Sequence, residues 1–124
     1  MAARPELLDK LADHLGPWTV SGPAQQICTA ALRDAHWQLA TRARLLADGE
    51  RLNQLLHASG IQAGGTALYQ WWPEERPEAF WQHMAERGIW VRLFTKAARG
   101  IRIGLPADEA AWSRLQTALE EWNT

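Results

Sequence analysis

The sequence predicts an α+β domain: a small, largely antiparallel three-stranded sheet with helices packed on one face. Three observations carry this. Apolar residues recur at helical spacing over most of the chain. Three short runs, around Leu68 to Trp72, Ile89 to Phe94 and Ile101 to Gly104, instead alternate with period two or read as strand-like apolar stretches. The length, 124 residues, suits a single domain spanning 1–124, in which residues 1–33 form a connecting helical region.

The elements follow in order. "RPELLDKLADHLG" reads as a helix, with Pro5 in its first turn, Gly16 as its stop and Leu7, Leu8, Leu11 and Leu15 on one face. The Gly16-Pro17 and Gly22-Pro23 pairs punctuate the next stretch. Ser21 is placed to cap a helix running from about Pro23 to Leu32. A long helix from about Asp34 to Ser59 carries Trp37, Thr41, Leu45, Leu52 and Leu56 as its stripe, with Asp34 as cap and Gly60 as stop. Gly49 is expected to weaken it slightly.

"IQAGGTALYQWW" changes period. Leu68, Gln70 and Trp72 alternate with Tyr69 and Trp71, which predicts a strand with partners on both faces, and Gly64-Gly65 marks a turn or bulge before it. A helix from about Pro77 ends at Gly88. Two strands come next, each with an arginine between aliphatic residues: Arg92 beside Val91 and Leu93, and Arg102 beside Ile101 and Ile103. The final helix places Ala111, Trp112, Leu115, Ala118, Leu119 and Trp122 on one stripe, with Asp108 and Glu109 in the first turn complementing the helix dipole.

Composition bounds the function. The net charge of −1 gives no reason to expect nucleic-acid or membrane binding, and no apolar run approaches the roughly 20 residues of a membrane span. One cysteine, Cys28, allows no internal disulfide and fits a reducing, cytoplasmic setting; in an apolar helix it reads as a buried, inert thiol. The histidines His14, His36, His57 and His83 lack metal-ligand spacing with one another or with Cys28, so no metal site is expected. Neither lysine, Lys10 or Lys96, has the apolar setting of a reactive amine. No catalytic or cofactor-binding residue is therefore assigned within the chain. The eight tryptophans read as packing residues, some of them for a surface that another domain or subunit covers.

The two strand arginines are the chemistry that remains. On a half-exposed sheet each reads most plainly as a solvated residue. Two guanidinium groups on neighbouring strands, however, repel unless an anion joins them, and each can hold a carboxylate or phosphate bidentately. Arg92 and Arg102 are therefore candidate contacts for a small acidic molecule.

"LGPWTVSGPAQQI", "GIWVRLF" and "GIRIGLPADEAAWSRL" together resemble the C-terminal small domain of fold-type I, pyridoxal-phosphate-dependent enzymes of the class I/II aminotransferase type. The resemblance runs from about Pro5 to Trp122 and is strongest to the threonine-phosphate decarboxylase branch, which serves cobalamin biosynthesis; the histidinol-phosphate aminotransferase branch is close by. It implies a domain that closes over substrate, with Arg102 and Arg92 contacting the carboxylate and phosphate of L-threonine O-3-phosphate. The product would be (R)-1-amino-2-propanol phosphate. It also implies an N-terminal large domain carrying pyridoxal 5'-phosphate and its lysine, and a homodimeric full-length enzyme. In the family the lysine block precedes the point where this chain starts. The chain is thus read as part of a longer lyase, inactive alone and without bound cofactor; the alternatives are the C-terminal domain of a histidinol-phosphate-type aminotransferase and a stand-alone α+β module for anionic metabolites. "FTKAARGIRIG" matches the family only loosely in its loop.

Overall fold

A computed structural model describes residues 4–96 and 98–122. The chain divides into two compact units, residues 1–39 and 40–124.

The first unit holds helices α1 (Pro5–Leu15) and α2 (Gly22–Arg33) and the start of α3 (Ala35–Ala58). Local sequence accounts for each boundary. Pro5 opens α1 where a missing N–H costs nothing, and Gly16 ends it at φ 67°, the left-handed region that glycine enters without strain. The Ser21 hydroxyl accepts from the Ala24 amide at 3.4 Å, and the Asp34 carboxylate accepts from the Trp37 amide at 2.9 Å. Neither α1 nor α2 buries a residue. Leu7, Leu8, Leu11 and Leu15 stay about half exposed, and Trp18 is 90% exposed. Cys28 is exposed as well, contrary to the sequence expectation: an apolar helix buries its thiol only against a second apolar layer, and α2 has none.

The second unit contains the core. Its sheet comprises β1 (Gly64–Gly65), β2 (Tyr69–Trp72), β3 (Arg92–Phe94) and β4 (Gly100–Gly104), in the order β1-β2-β4-β3, with every pairing antiparallel. The expected α+β architecture is present, with four strands where the sequence predicted three. The addition is the Gly64-Gly65 pair, which lies opposite Trp71 and Gln70. Two glycines carry no side-chain alternation, so nothing in the pattern marks them as a strand.

The strand expected from Ile89 starts only at Arg92. Helix α4 (Pro77–Glu86) takes the preceding residues for its own ending. Gly88, at φ 69°, donates to the Ala85 carbonyl at 3.0 Å and Ile89 to the Met84 carbonyl at 2.9 Å, the paired bonds of a Schellman motif. The same arrangement ends α3, with Gly60 bonded to His57 and Ile61 to Leu56.

One sheet face carries Gln70, Trp72, Ile101 and Ile103, all buried. Leu52 and Leu56 of α3, Phe80 and Met84 of α4, and Trp112, Leu115 and Leu119 of α5 (Glu109–Trp122) complete the core against it. The β2 segment thus packs on one face, not on both as its composition suggested: Gln70 and Trp72 are buried, while Tyr69 is exposed. The lone buried polar side chain, among the described residues, is Gln70, and its amide is satisfied by the Thr66 carbonyl at 3.0 Å and by Asn53 at 3.3 Å.

Gly49 reverses its expected role. A Cβ there would lie 2.8 Å from the Ala67 backbone, so its absence lets α3 approach the segment before β2. The helix propensity lost is offset by that close packing.

Across the surface, Arg51 of α3 holds Glu109 of α5 through two bonds of 2.6 and 2.8 Å. The hydrogen bonds from Arg51, and then its charge, keep the Glu109 carboxyl below its ordinary range. Any stability from this pair is therefore full above the usual carboxylate range and lost as pH falls through the lowered value. Urea midpoints of the Glu109→Gln variant should lie slightly below wild type at neutral pH and converge with it on acidification. Parallel pH profiles would refute the linkage. Both partners are exposed, so the effect is small.

Candidate functional site

The period of a strand decides where the two arginines point. Ile101 and Ile103 face the core, so Arg102 between them faces away. Leu93 packs against the core, so Arg92 and Phe94 project to the other side. By the same alternation, burial of Gln70 and Trp72 turns Tyr69 and Trp71 outward. One sheet face is thus apolar apart from Gln70, and the other is built from arginine and aromatic residues.

Register then brings these side chains together. Arg102 lies directly opposite Trp71 on one side and Arg92 on the other. Two guanidinium groups on facing positions would be unfavourable alone. Aromatic rings lie against both. The Arg102 guanidinium sits 4.5 Å from the Tyr69 ring centre and 5.9 Å from that of Phe94, and the Arg92 guanidinium sits 5.3 Å from the same Phe94 ring. Such contacts contribute about 0.5–1 kcal/mol each at exposed sites. Arg102 is half-buried and Arg92 exposed.

Neither arginine forms an ion pair among the described residues; Arg42, Arg44, Arg76 and Arg114 form none either, and what distinguishes Arg92 and Arg102 is that they face each other across the ladder. Arg51 is committed to Glu109, Arg87 to Glu121 at 2.6 Å, and Arg99 of the β3–β4 loop to Glu78 at 2.8 Å. Each of these three gives donors to a carboxylate, whereas Arg92 and Arg102 give none to a carboxylate among the described residues.

Beside Tyr69 the surface opens into a cleft of about 380 Å³ bordered by Arg44, Leu68, Gly104 and Pro106. A second cleft, of about 220 Å³, lies between Trp90, Leu105 and Arg114. Neither includes Arg92 or Arg102.

Pyridoxal phosphate requires a lysine amine, and the chain's lysines, Lys10 on α1 and Lys96 in the β3–β4 loop, are both exposed. His83 bonds the Ala118 carbonyl at 2.8 Å and packs against Trp122, which makes it a tie between α4 and α5.

Sequence reasoning pointed to Arg92 and Arg102 and did not single out Tyr69 and Phe94, whose rings lie against them. Phe94 was detectable, because it shares strand parity with Arg92. Tyr69 was not: its position depends on the β2–β4 register across an intervening helix and strand.

Comparison with known proteins agrees with this architecture. The chain matches the family described as aminotransferase class I and II over residues 1–117, and it belongs to that family. Among individual relatives, it is 48% identical over 114 residues to the threonine-phosphate decarboxylase of Pseudomonas aeruginosa, covering 91% of this chain and 34% of that protein. It is 33% identical over 120 residues to a threonine-phosphate decarboxylase of a Sinorhizobium species, covering 96% of this chain and 35% of that one. The fold superposes on an aminotransferase-like protein of Burkholderia pseudomallei with a TM-score of 0.70 at 24% identity, over 96% of this chain and 38% of that chain. The chain therefore spans about a third of the length of the relatives it matches.

Proposed function

We propose that the chain is the substrate-closing C-terminal part of a pyridoxal-phosphate-dependent L-threonine-O-3-phosphate decarboxylase. The observation that carries the reading is the pair of facing arginines, Arg92 and Arg102, whose guanidinium groups have no carboxylate partner among the described residues. Threonine phosphate offers one carboxylate and one phosphate. The likeness to two curated threonine-phosphate decarboxylases favours that dianion over other acidic metabolites.

In this reading Arg102 takes the carboxylate and Arg92 the phosphate. Arg102 is the better placed to fix an orientation, being half-buried and stacked, and orientation is what its hold contributes. Arg92, exposed at an edge strand, acts chiefly as a charge. The lysine and cofactor belong to the two-thirds of the enzyme outside this chain. Exposed apolar residues such as Leu7, Leu15 and Trp18 fit a surface which that remainder covers.

Two measurements test the proposal together. Full-length protein loaded with pyridoxal phosphate should release carbon dioxide from L-threonine O-3-phosphate; amino transfer from histidinol phosphate without decarboxylation would overturn the assignment. The chain of 124 residues, incubated with pyridoxal phosphate and reduced with borohydride, should gain no stoichiometric mass at Lys10 or Lys96. Specific labelling of either would place cofactor chemistry inside it.

A further inference from the structure

We infer that Tyr69 is a positioning residue for substrate binding, acting through Arg102. The inference rests on the reading of Arg102 as a carboxylate contact and extends it to a side chain with no charge of its own.

The molecule contains an occupied version of the same arrangement. Arg51 lies 4.2 Å over the Trp112 ring centre and, while stacked there, donates two bonds to Glu109 at 2.6 and 2.8 Å. Stacking uses the flat face of a guanidinium. It leaves the edge, with its fork of N–H donors, free to meet a carboxylate. Arg102 over Tyr69, at 4.5 Å, repeats the ring-backed half of this unit without the carboxylate half; Arg76 over Trp122, at 4.7 Å, does so too, but only Arg102 stands opposite a second arginine. A ligand carboxylate would complete it as Glu109 completes Arg51.

The alternative way to hold an arginine still is an ion pair, which would occupy the donors the ligand needs. An aromatic ring restrains the long side chain and leaves its edge available. Tyr69 is itself held for this task. It pairs with Gly104 across the β2–β4 ladder, and a Cβ added there would stand 3.5 Å from the ring, so the ring lies on the Gly104 side of the ladder beside the position a side chain would take. Phe94 approaches Arg102 from the β3 side at 5.9 Å, a longer contact that it shares with Arg92. Tyr69 is accordingly the principal restraint.

The test uses the full-length holoenzyme with threonine phosphate as substrate. Tyr69→Phe, which keeps the ring, should match wild type. Tyr69→Leu should raise KM roughly 2- to 30-fold with a smaller change in kcat, the range set by one cation–π contact between exposed and desolvated limits. In an Arg102→Ala background Tyr69→Leu should add no further increase, since nothing is left to position. A folded Tyr69→Leu enzyme with unchanged KM overturns the inference. So does a Tyr69→Phe variant as impaired as Tyr69→Leu, or an effect of Tyr69→Leu that persists undiminished without Arg102; either would make Tyr69 a direct substrate contact. Should Tyr69→Leu fail to fold, Tyr69→Met keeps apolar bulk over Gly104 without a π-face, and the same outcomes apply. If Arg102→Ala alone leaves KM unchanged, or the wild type releases no carbon dioxide, the underlying reading fails and the inference falls with it.

Discussion

Replacing Arg102 by alanine in the full-length enzyme should lower kcat/KM for threonine phosphate by roughly 30- to 1,000-fold, equivalent to about 2–4 kcal/mol. The size follows from what is lost. In the proposed role a half-buried guanidinium lying over Tyr69 would meet an ionised carboxylate bidentately, and removing it would leave that carboxylate desolvated without a partner. The loss should fall more on KM than on kcat. A departing carboxylate gives up its charge as carbon dioxide forms, so the contact is strongest before the chemical step. Lysine at 102 should recover only part of the activity, because an ammonium matches the charge but not the planar fork. Arg92→Ala should cost less, since Arg92 is exposed and touches one ring rather than two. Full activity in Arg102→Ala, with an unchanged melting temperature, would remove Arg102 from the site.

Most of the fold was legible because its signals are local. Ser21 and Asp34 were readable as caps, and Gly16, Gly60 and Gly88 as stops, from residue type and position alone. The core face of α5 followed from spacing, and Trp112, Leu115 and Leu119 are buried as that spacing required. What sequence could not supply was pairing between distant segments. Gly49 looked like a weak point in α3 until the Ala67 backbone was found against it. Gly64 and Gly65 became a strand only because β2 lay beside them. Ile89 was read as strand because its composition is strand-like, yet the ending of α4 claims it first.

The site divides in the same way. Outward placement of Arg102 is a local consequence of period two, enforced by the burial of Ile101 and Ile103. That Arg92 lies opposite it depends on the short β3–β4 connection, which an antiparallel hairpin makes plausible from sequence. That Tyr69 lies against Arg102 depends on β4 inserting between β2 and β3, a topological fact with no local signature.

Phe80→Ala should be the most destabilising of these substitutions, at about 3–5 kcal/mol. Phe80 is 0% exposed and its ring meets two tryptophans edge-on, Trp72 of β2 at 5.4 Å and Trp122 of α5 at 5.2 Å. Three elements converge on that one ring. Alanine there leaves a cavity lined by large rigid rings that cannot collapse into it, which places the cost high in the usual range. A domain of this size has about 5–15 kcal/mol in total, so a fifth or more of its stability would go. Urea unfolding should show a lower midpoint with an unchanged slope, because the surface exposed on unfolding is nearly the same. Phe80→Leu should lose less than half as much. The effect should also reach the site at a distance. Helix α4 packs against β3, and β3 carries both Arg92 and Phe94. A loosened α4 therefore loosens one side of the arginine pair. In the full-length enzyme of the proposed function, KM for threonine phosphate should rise in Phe80→Ala at temperatures where the protein is still folded, while Arg102, on β4 and backed by Tyr69 of β2, should keep most of its hold on the carboxylate. An unchanged urea midpoint would show that α4 is not held through Phe80. A lowered midpoint with an unchanged KM would show that β3 keeps its place on β4 pairing alone.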